Sequence, residues 1–203
     1  MHEAVWTAER ALAVLEHPGR TRSENPRSLW RRTGLAPGMT VVDVGAGSGF
    51  FTFPASQIVG PEGKVYAVDV SPELIALIRE RARTGHRANV EARVSRPGRI
   101  PLRSGVADRV LLANVLHGVA PATVRESVRL LRPDGHLIDL DWKKEETGGG
   151  PPVGHRLDAA EAKKVLEAYG LRTLATWEPG PSHYAIELAI GPPRGPAARR
   201  TRG

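Results

Sequence analysis

The sequence predicts an α/β fold: a parallel sheet with helices on both faces and an antiparallel strand at its C-terminal end. Short apolar segments rich in β-branched residues alternate with amphipathic segments of helical period, which is the pattern of a parallel sheet wound on both faces. A glycine-rich turn directly follows the first apolar segment. The last two segments, LRTLATWEPG and SHYAIELAI, have no helix between them, so they predict an antiparallel pair.

Five strands are predicted before that pair. They are expected at residues 39–45, 64–71, 89–95, 107–115 and 136–142. The first, MTVVDVG, is a continuous apolar run that only Asp43 interrupts, as is typical of a strand buried on both faces.

Helices are predicted before the first strand, between most of the strands, and between the fifth strand and the final pair. They are expected at residues 2–18, after Pro26, at 50–59, from Pro72, at 121–135 and at 158–170. Ser71 can cap the helix that begins at Pro72. Thr123 and Glu126 have the spacing of a capping box, and the Pro-Asp-Gly sequence at 133–135 predicts the end of that helix.

The expected organisation is an N-terminal helical cap segment (1–32), a main domain (33–190) and a basic tail (191–203). The tail, GPPRGPAARRTRG, carries four arginines and no acid. It cannot bury apolar surface, so we expect it to be disordered. Its arginines account for more than half of the formal net charge of +7, which weakens charge as an argument for a nucleic-acid partner.

Composition excludes several classes of protein. The chain has no cysteine, so disulfides, thiolate metal sites and cysteine nucleophiles are excluded, and we predict no metal site. No N-terminal segment resembles a signal peptide, and no apolar run is long enough to span a bilayer. We therefore expect a soluble, cytoplasmic protein.

Gly45, Gly47 and Gly49 occupy alternate positions in the turn GAGSG. Ligands of open α/β sheets bind at the carboxyl ends of the strands, near the point where the winding reverses, so this turn is in the right place for a ligand. A tight turn with close packing explains one or two of the glycines but not all three. The spacing is not that of a dinucleotide site, because Phe50 stands where a glycine is needed, and no lysine follows as a P-loop requires.

The spacing G-x-G-x-G after an acidic residue resembles motif I of the class I S-adenosylmethionine (AdoMet) methyltransferases. The resemblance extends over roughly residues 33–190, through TGLAPGMTVVDVGAGSGFFT, VYAVDVSPELI, IPLRSGVADRVLLANVLH and LLRPDGHLIDLDW. It is strongest to the ubiquinone/menaquinone-type group that methylates small molecules. It implies a Rossmann-like, seven-stranded methyltransferase fold, AdoMet as cofactor and a small-molecule acceptor.

The resemblance also implies a set of cofactor-binding positions. These are Asp43, Gly45, Ala46, Gly47, Gly49, Phe50, Asp69, Val70, Ser95, Arg96 and Asn114. Asp43 would orient the ammonium group of the cofactor, or else hold the turn through backbone N–H groups. Asp69 would accept the ribose hydroxyls, or else act as a charge at a helix N-terminus. Ser95 and Arg96 stand near the position where the family often has an aspartate for adenine.

Catalytic roles on the acceptor side are predicted for His117, Asp141 and Lys143. His117 would be a general base, Asp141 would orient or deprotonate an acceptor hydroxyl, and Lys143 would pair with an anionic substrate. The alternatives are a packing histidine and a carboxylate that caps a strand end. The Gly/Pro-rich loop 143–155 is predicted to belong to the acceptor site and to act partly as a lid.

Other functions remain open at this point. An enzyme of the same class acting on RNA or protein is one alternative, and a non-catalytic AdoMet-binding module is another. The sequence after the fourth strand, ANVLHG, lacks the [DN]-P-P-[YF] signature of base-amino methylation. This counts against that subclass of nucleic-acid enzymes but not against all RNA methyltransferases, so nucleic acid stays an alternative partner that the sequence does not indicate. An NAD-type oxidoreductase is disfavoured by the glycine spacing.

Overall fold

The computed structural model describes residues 17–191 together with residues 12, 13 and 15. Residues 12, 13 and 15 are helical. The rest of the helix predicted from residue 2 onward, up to residue 16, and the predicted disordered tail beyond residue 191 lie outside the described residues.

Helices and strands alternate along the described chain up to the final pair of strands, except that β3 is followed directly by β4. The strands are β1 (Thr40–Val44), β2 (Lys64–Asp69), β3 (Val90–Val94), β4 (Ala107–Ala113), β5 (Leu131–Trp142), β6 (Leu171–Gly180) and β7 (His183–Ile190). The helices are α1 (Pro26–Arg32), α2 (Thr52–Val59), α3 (Pro72–Thr84), α4 (Pro121–Leu130) and α5 (Ala159–Glu167). Short 3-10 turns span Pro18–Arg22 and Val153–His155.

The strands form one sheet in the order β3-β2-β1-β4-β5-β7-β6. Strands β1 to β5 are parallel, and β7 lies antiparallel between β5 and β6. The winding reverses between β1 and β4, which are direct neighbours. The predicted fold is confirmed, and it brings the turns after β1 and β4 together at the carboxyl edge of the sheet.

Apolar clusters cover both faces of the sheet. On β4, Val110 and Leu112 face one cluster, whereas Leu111, between them, faces the other. All three are fully buried, as expected for a central strand of a doubly wound sheet.

The segment before β1 is anchored to the glycine-rich turn. Trp30 of α1 is fully buried, and its indole N–H donates to the carbonyl oxygen of Phe51 at 3.0 Å. Residues that precede the sheet in sequence are thereby held beside its carboxyl edge. The division at residue 32 stays a prediction.

The region around α4 differs from the prediction. The helix ends at Leu130 rather than residue 135, and β5 begins at Leu131. Residues 132–135, which include the predicted Pro-Asp-Gly exit, form an irregularity in the pairing of β5 with β4.

The capping box predicted at Thr123 and Glu126 is wrong. The helix begins earlier, at Pro121, and no side chain caps it. The Thr123 hydroxyl instead accepts a hydrogen bond from the Gly98 N–H at 3.1 Å, and Glu126 accepts one from the Ile100 N–H at 2.9 Å. The predicted cap at Ser71 is present, since its hydroxyl accepts from the Leu74 N–H at 3.4 Å.

Candidate active site

A cavity of about 550 Å³ opens at the carboxyl edge of the sheet, where β1 and β4 meet. Its lining includes Asp43, Gly45, Ala46, Gly47, Phe50, Asp69, Val70, Ser95, Arg96 and Asn114. These are all the predicted cofactor residues except Gly49. The structure thus brings side chains and backbone from the ends of β1, β2, β3 and β4 into one cavity.

The glycine-rich turn needs its glycines for two different reasons. Gly47 lines the cavity with a φ of +56°, and a Cβ there would lie 2.8 Å from the Leu15 side chain. Gly49 does not line the cavity, and a Cβ there would lie 2.5 Å from the Phe53 ring. The prediction that Gly49 faces the ligand is therefore corrected, because its small size serves packing against α2.

Asp43 is a buried carboxyl group at the floor of the turn. The Thr52 hydroxyl donates to its Oδ2 at 2.6 Å. The pKa of Asp43 is raised to about 6, mainly by burial. The hydrogen bond from Thr52 lowers this pKa, and the nearby charge of Asp69 raises it. The side chain therefore holds the start of α2 and lines the cavity at once.

Asp69 lies at the start of α3, as its predicted role at a helix N-terminus requires, and its contact with a ribose stays a prediction. Its Oδ2 accepts from the Gly47 N–H at 3.0 Å, and its Oδ1 accepts from the Ser71 N–H at 2.9 Å. A carboxylate oxygen has a second lone pair, so both oxygens can still accept hydrogen bonds from a ligand in the cavity.

The turn after β3 closes the adenine end implied by the resemblance. Arg96 and Arg99 exchange backbone hydrogen bonds at 3.1 and 2.9 Å, which makes a tight turn at residues 96–99. Thr123 ties this turn to α4 and also lines the cavity. Thr123 was not predicted to be a site residue, because in the sequence it reads as a helix cap.

A buried hydrogen-bond network borders the other end of the cavity. Asn114 has a left-handed φ of +58°, a conformation that asparagine tolerates better than most residues. Its side-chain Nδ2 donates to Glu24 Oε2 at 2.6 Å, and its Oδ1 accepts from His183 Nε2 at 3.1 Å. Arg20 donates to both oxygens of Glu24, each at 2.9 Å.

Chemistry sets the direction of these bonds. An ionised Glu24 only accepts, so the amide nitrogen of Asn114 faces it and the amide oxygen faces His183. His183 therefore donates through Nε2, and its Nδ1 accepts from the Ser182 hydroxyl at 2.9 Å. Burial lowers the pKa of His183, which favours this neutral form.

The sequence did not predict Arg20, Glu24 or His183 as site residues. Arg20 and Glu24 are four residues apart, which is compatible with an ion pair on a helical turn but does not indicate a ligand. Nothing in the sequence near His183 points to Asn114, which lies 69 residues away.

His117 and Asp141 form a pair beside the cavity. The His117 Nδ1 lies 2.9 Å from Asp141 Oδ1, and Asp141 also accepts from the Trp142 N–H at 2.8 Å. Neither side chain lines the cavity, although the adjacent Gly118 does. The predicted strand-end alternative for Asp141 is thus present together with the histidine contact.

Two further buried polar groups lie close to this pair. Asp139 precedes Asp141 by two residues on β5, so both side chains lie on the same face of the sheet. Within the described residues, the carboxylate oxygens of Asp139 and the Tyr184 hydroxyl have no hydrogen-bond partner. Burial, with Asp141 nearby, raises the pKa of Asp139 well above its ordinary value, which favours the neutral form of this carboxyl group.

Lys143 lies away from the cavity. Its ammonium group is 2.7 Å from Glu178 Oε2 on β6, and the residue does not line the cavity. The structure pairs this charge with a protein carboxylate, so the predicted contact with an anionic substrate has no geometric support.

Arg156 gives the 143–155 loop a fixed shape. Its guanidinium donates to the carbonyl oxygens of Glu145, Gly149 and Pro151, each at 2.7 Å. It also donates to the Lys143 carbonyl oxygen at 3.0 Å. The sequence predicted a hinged lid from the glycines and prolines, but missed the buried arginine around which the loop folds.

An open sheet of this order, with a glycine-rich turn after β1 and an acid ending β2, defines the class of the AdoMet-dependent methyltransferases. Residues 35–170 match the family described as "Methyltransferase domain", and the chain belongs to that family. The predicted class and its cofactor, AdoMet, are confirmed.

Individual relatives agree with this assignment. The chain is 37% identical over 120 residues to arsenite methyltransferase of Halobacterium salinarum, which covers 58% of this chain and 30% of that protein. It is 31% identical over 124 residues to the ubiquinone/menaquinone biosynthesis C-methyltransferase UbiE of Hahella chejuensis, covering 57% and 50%. The chain thus matches half or less of these curated relatives.

A solved structure is similar over nearly the whole chain. The SAM-dependent methyltransferase from Aquifex aeolicus has a TM-score of 0.86 and 31% sequence identity, and the match covers 92% of this chain and 100% of that one.

Within residues 17–191 and the three helical residues before them, none of the helices has the length and apolar composition of a membrane span. In that same part of the chain, no group of three or more His, Asp or Glu residues could hold a metal ion.

Proposed function

We propose that this protein transfers a methyl group from AdoMet to a small organic acceptor. The observation that carries the proposal is the convergence of Asp43, Asp69 and the backbone of Gly47 on one cavity at the β1–β4 crossover. When bound, AdoMet supplies a methyl group on a sulfonium. Asp43 would hold the cationic end of this cofactor, Asp69 the ribose, and the turn at 96–99 the adenine.

The chemistry of the chain favours a carbon-based acceptor over a soft inorganic one. The relatives' names include an arsenite methyltransferase and a ubiquinone/menaquinone biosynthesis C-methyltransferase. Soft ions are held by thiolates, and this chain has no cysteine. Apolar side chains such as Leu15, Phe50 and Val115 line the cavity, which suits an apolar organic molecule.

His117 is the proposed general base. Its Nδ1 is bonded to Asp141, which orients the ring and leaves Nε2 as the atom that can accept a proton. The adjacent Gly118 lines the cavity, and the proposal requires that an acceptor bound there reach this nitrogen. Asp141 would stabilise the imidazolium that forms.

His117→Gln tests that role. We expect turnover to fall by roughly 10²–10⁴-fold with little change in AdoMet affinity. His136→Gln is the matched control, because His136 makes a similar pair with Glu187 at 2.6 Å but at the amino end of the regular β4–β5 pairing. A loss of less than about tenfold for His117→Gln, or an equal loss in the control, would leave His117 with a packing role.

Two measurements test the function itself. Calorimetry with AdoMet and with NAD should show binding of AdoMet alone. Transfer of a tritiated methyl group should then label the small-molecule fraction of a cell extract rather than its RNA or protein fraction. Binding of NAD without AdoMet would overturn the proposal, and binding without transfer to any fraction would favour a non-catalytic module.

RNA is the second candidate acceptor, on one observation. Residues 92–107 contain Arg93, Arg96, Arg99 and Arg103 and no acid. Arg96 and Arg99 are exposed beside the cavity, and such a basic edge can bind phosphates. If the tritiated methyl group labelled the RNA fraction, and if Arg99→Glu abolished that labelling, RNA would be the favoured acceptor.

A cytoplasmic location stays a prediction that cell fractionation would check.

A further inference from the structure

The cavity wall contains a cation although the proposed cofactor is itself a cation. Arg20 lines the cavity, and its guanidinium carbon lies 4.2 Å from the centroid of the Phe50 ring. Its side chain is only 12% exposed, so solvent screens it weakly. The positive charge of Arg20 also acts on Asp43, which lines the same cavity. It lowers the pKa of that carboxyl group, whereas burial raises it.

Glu24 neutralises this cation. The two carboxylate oxygens each accept from Arg20 at 2.9 Å, a bidentate arrangement that fixes geometry as well as charge. The side chain is 3% exposed and does not line the cavity. It therefore acts on a ligand through Arg20 rather than by contact.

Two neutral side chains hold Glu24 in this position. Asn114 donates to its Oε2 at 2.6 Å, and His183 Nε2 lies 3.6 Å from its Oε1. Among the residues that the structure describes, the charged side chains that line the cavity are the two acids Asp43 and Asp69, the paired Arg20, and Arg96. Because Glu24 neutralises Arg20, the carboxylates of these two acids determine the electrostatic potential in the part of the cavity next to Arg20, and that potential is negative.

We propose that Glu24 sets the charge preference of the cofactor site, so that a sulfonium is accepted beside Arg20. This inference rests on the proposed function, since it takes AdoMet to be the ligand. Its specific consequence concerns AdoMet and its demethylated product, S-adenosylhomocysteine. These two molecules differ by one methyl group and by the positive charge on sulfur, so their relative affinity reports the local potential.

The test is the ratio of the dissociation constants, AdoMet over S-adenosylhomocysteine, measured by calorimetry on the full chain. Glu24→Gln should raise the ratio about tenfold, because an unpaired cation in a poorly screened wall opposes the sulfonium. Arg20→Gln should lower it, and the double variant should return it toward the wild-type value. Glu62→Gln is the control, because it removes the same charge from an exposed position just before β2, at the other edge of the sheet.

The outcomes separate the two proposals. If Glu24→Gln weakened the binding of both ligands equally, the ratio of dissociation constants would be unchanged. Glu24 would then have a purely structural role, and the inference would be overturned. If circular dichroism showed that Glu24→Gln does not fold, the direction of the change in Arg20→Gln would decide. A wild-type protein that binds neither ligand would overturn the proposed function and this inference with it.

Discussion

Asp43 shows how one buried carboxyl group can couple cofactor binding to pH. Burial raises its pKa to about 6, so the group is neutral below that pH and anionic above it. An anion is needed to hold a cationic ligand, and we therefore expect AdoMet affinity to fall by up to about tenfold for each pH unit below 6. Titration calorimetry between pH 5 and pH 8 measures this. Asp43→Asn should bind weakly with a flat profile, and an equally steep profile in that variant would assign the titration to another group.

The same shift has a consequence for stability, with a definite sign. The pKa is higher in the folded state than its ordinary value of 3.8, so between about pH 4 and pH 6 the folded state binds the proton more tightly. The contribution of Asp43 to stability is therefore greatest at low pH and is lost as the pH rises through 6, by on the order of 3 kcal/mol. Urea unfolding of the wild type and Asp43→Asn at pH 5 and pH 7.5 should show that the substitution is relatively less harmful at pH 7.5.

Asp69 is the residue that we propose holds the ribose of the cofactor. It has a remaining lone pair on each oxygen, and a hydrogen bond to a charged group contributes about 1.5–3 kcal/mol. Asp69→Ala should weaken AdoMet binding by at least about tenfold. Asp108→Ala is the matched control, because Asp108 also accepts a backbone N–H, from Thr40 at 2.7 Å, at the opposite end of β1. A dissociation constant unchanged in Asp69→Ala would place the ribose contact elsewhere.

At the scale of elements, capping residues were predicted correctly where the side chain bonds to its own helix. Ser71 caps α3 as expected, because its partner lies within the same turn. Thr123 and Glu126 have capping spacing, yet the backbone N–H groups that they accept from belong to the loop between β3 and β4. The pattern of residues cannot distinguish these cases, since a side chain that satisfies a distant loop has the same spacing as one that caps its own helix.

The 143–155 loop was predicted from its glycines and prolines, but its shape depends on Arg156. We expect Arg156→Lys to loosen the loop, because lysine keeps the charge and loses the planar fork that reaches several carbonyl groups at once. Amide exchange of the loop should become faster by roughly tenfold or more, with little change in the sheet. If the loop belongs to the acceptor site, turnover falls while AdoMet affinity holds; parent-like turnover with a loosened loop would make it a passive connector.

At the scale of the whole molecule, the cavity could be predicted and the buried network beside it could not. The glycine-rich turn and Asp69 follow strand ends that the sequence marks clearly, and parallel strands bring such ends to one edge. Glu24, Asn114 and His183 come from three separate segments, and the first two are 90 positions apart in the sequence. Only the folded chain places them together, so their role is a tertiary property without a local signal.

Binding of the cofactor should also increase the free energy of unfolding of the entire chain. A ligand that binds only the folded state at about 100 times its dissociation constant adds about 2.7 kcal/mol. For a chain of 203 residues, this corresponds to an increase in Tm of roughly 5–10 °C. Differential scanning calorimetry with saturating AdoMet should show that increase, and NAD at the same concentration should show none. Asp69→Ala, with a dissociation constant about tenfold higher, should keep only about half of the increase. An increase with NAD and none with AdoMet would contradict the assignment of this cavity to AdoMet, whatever the resemblance of the fold.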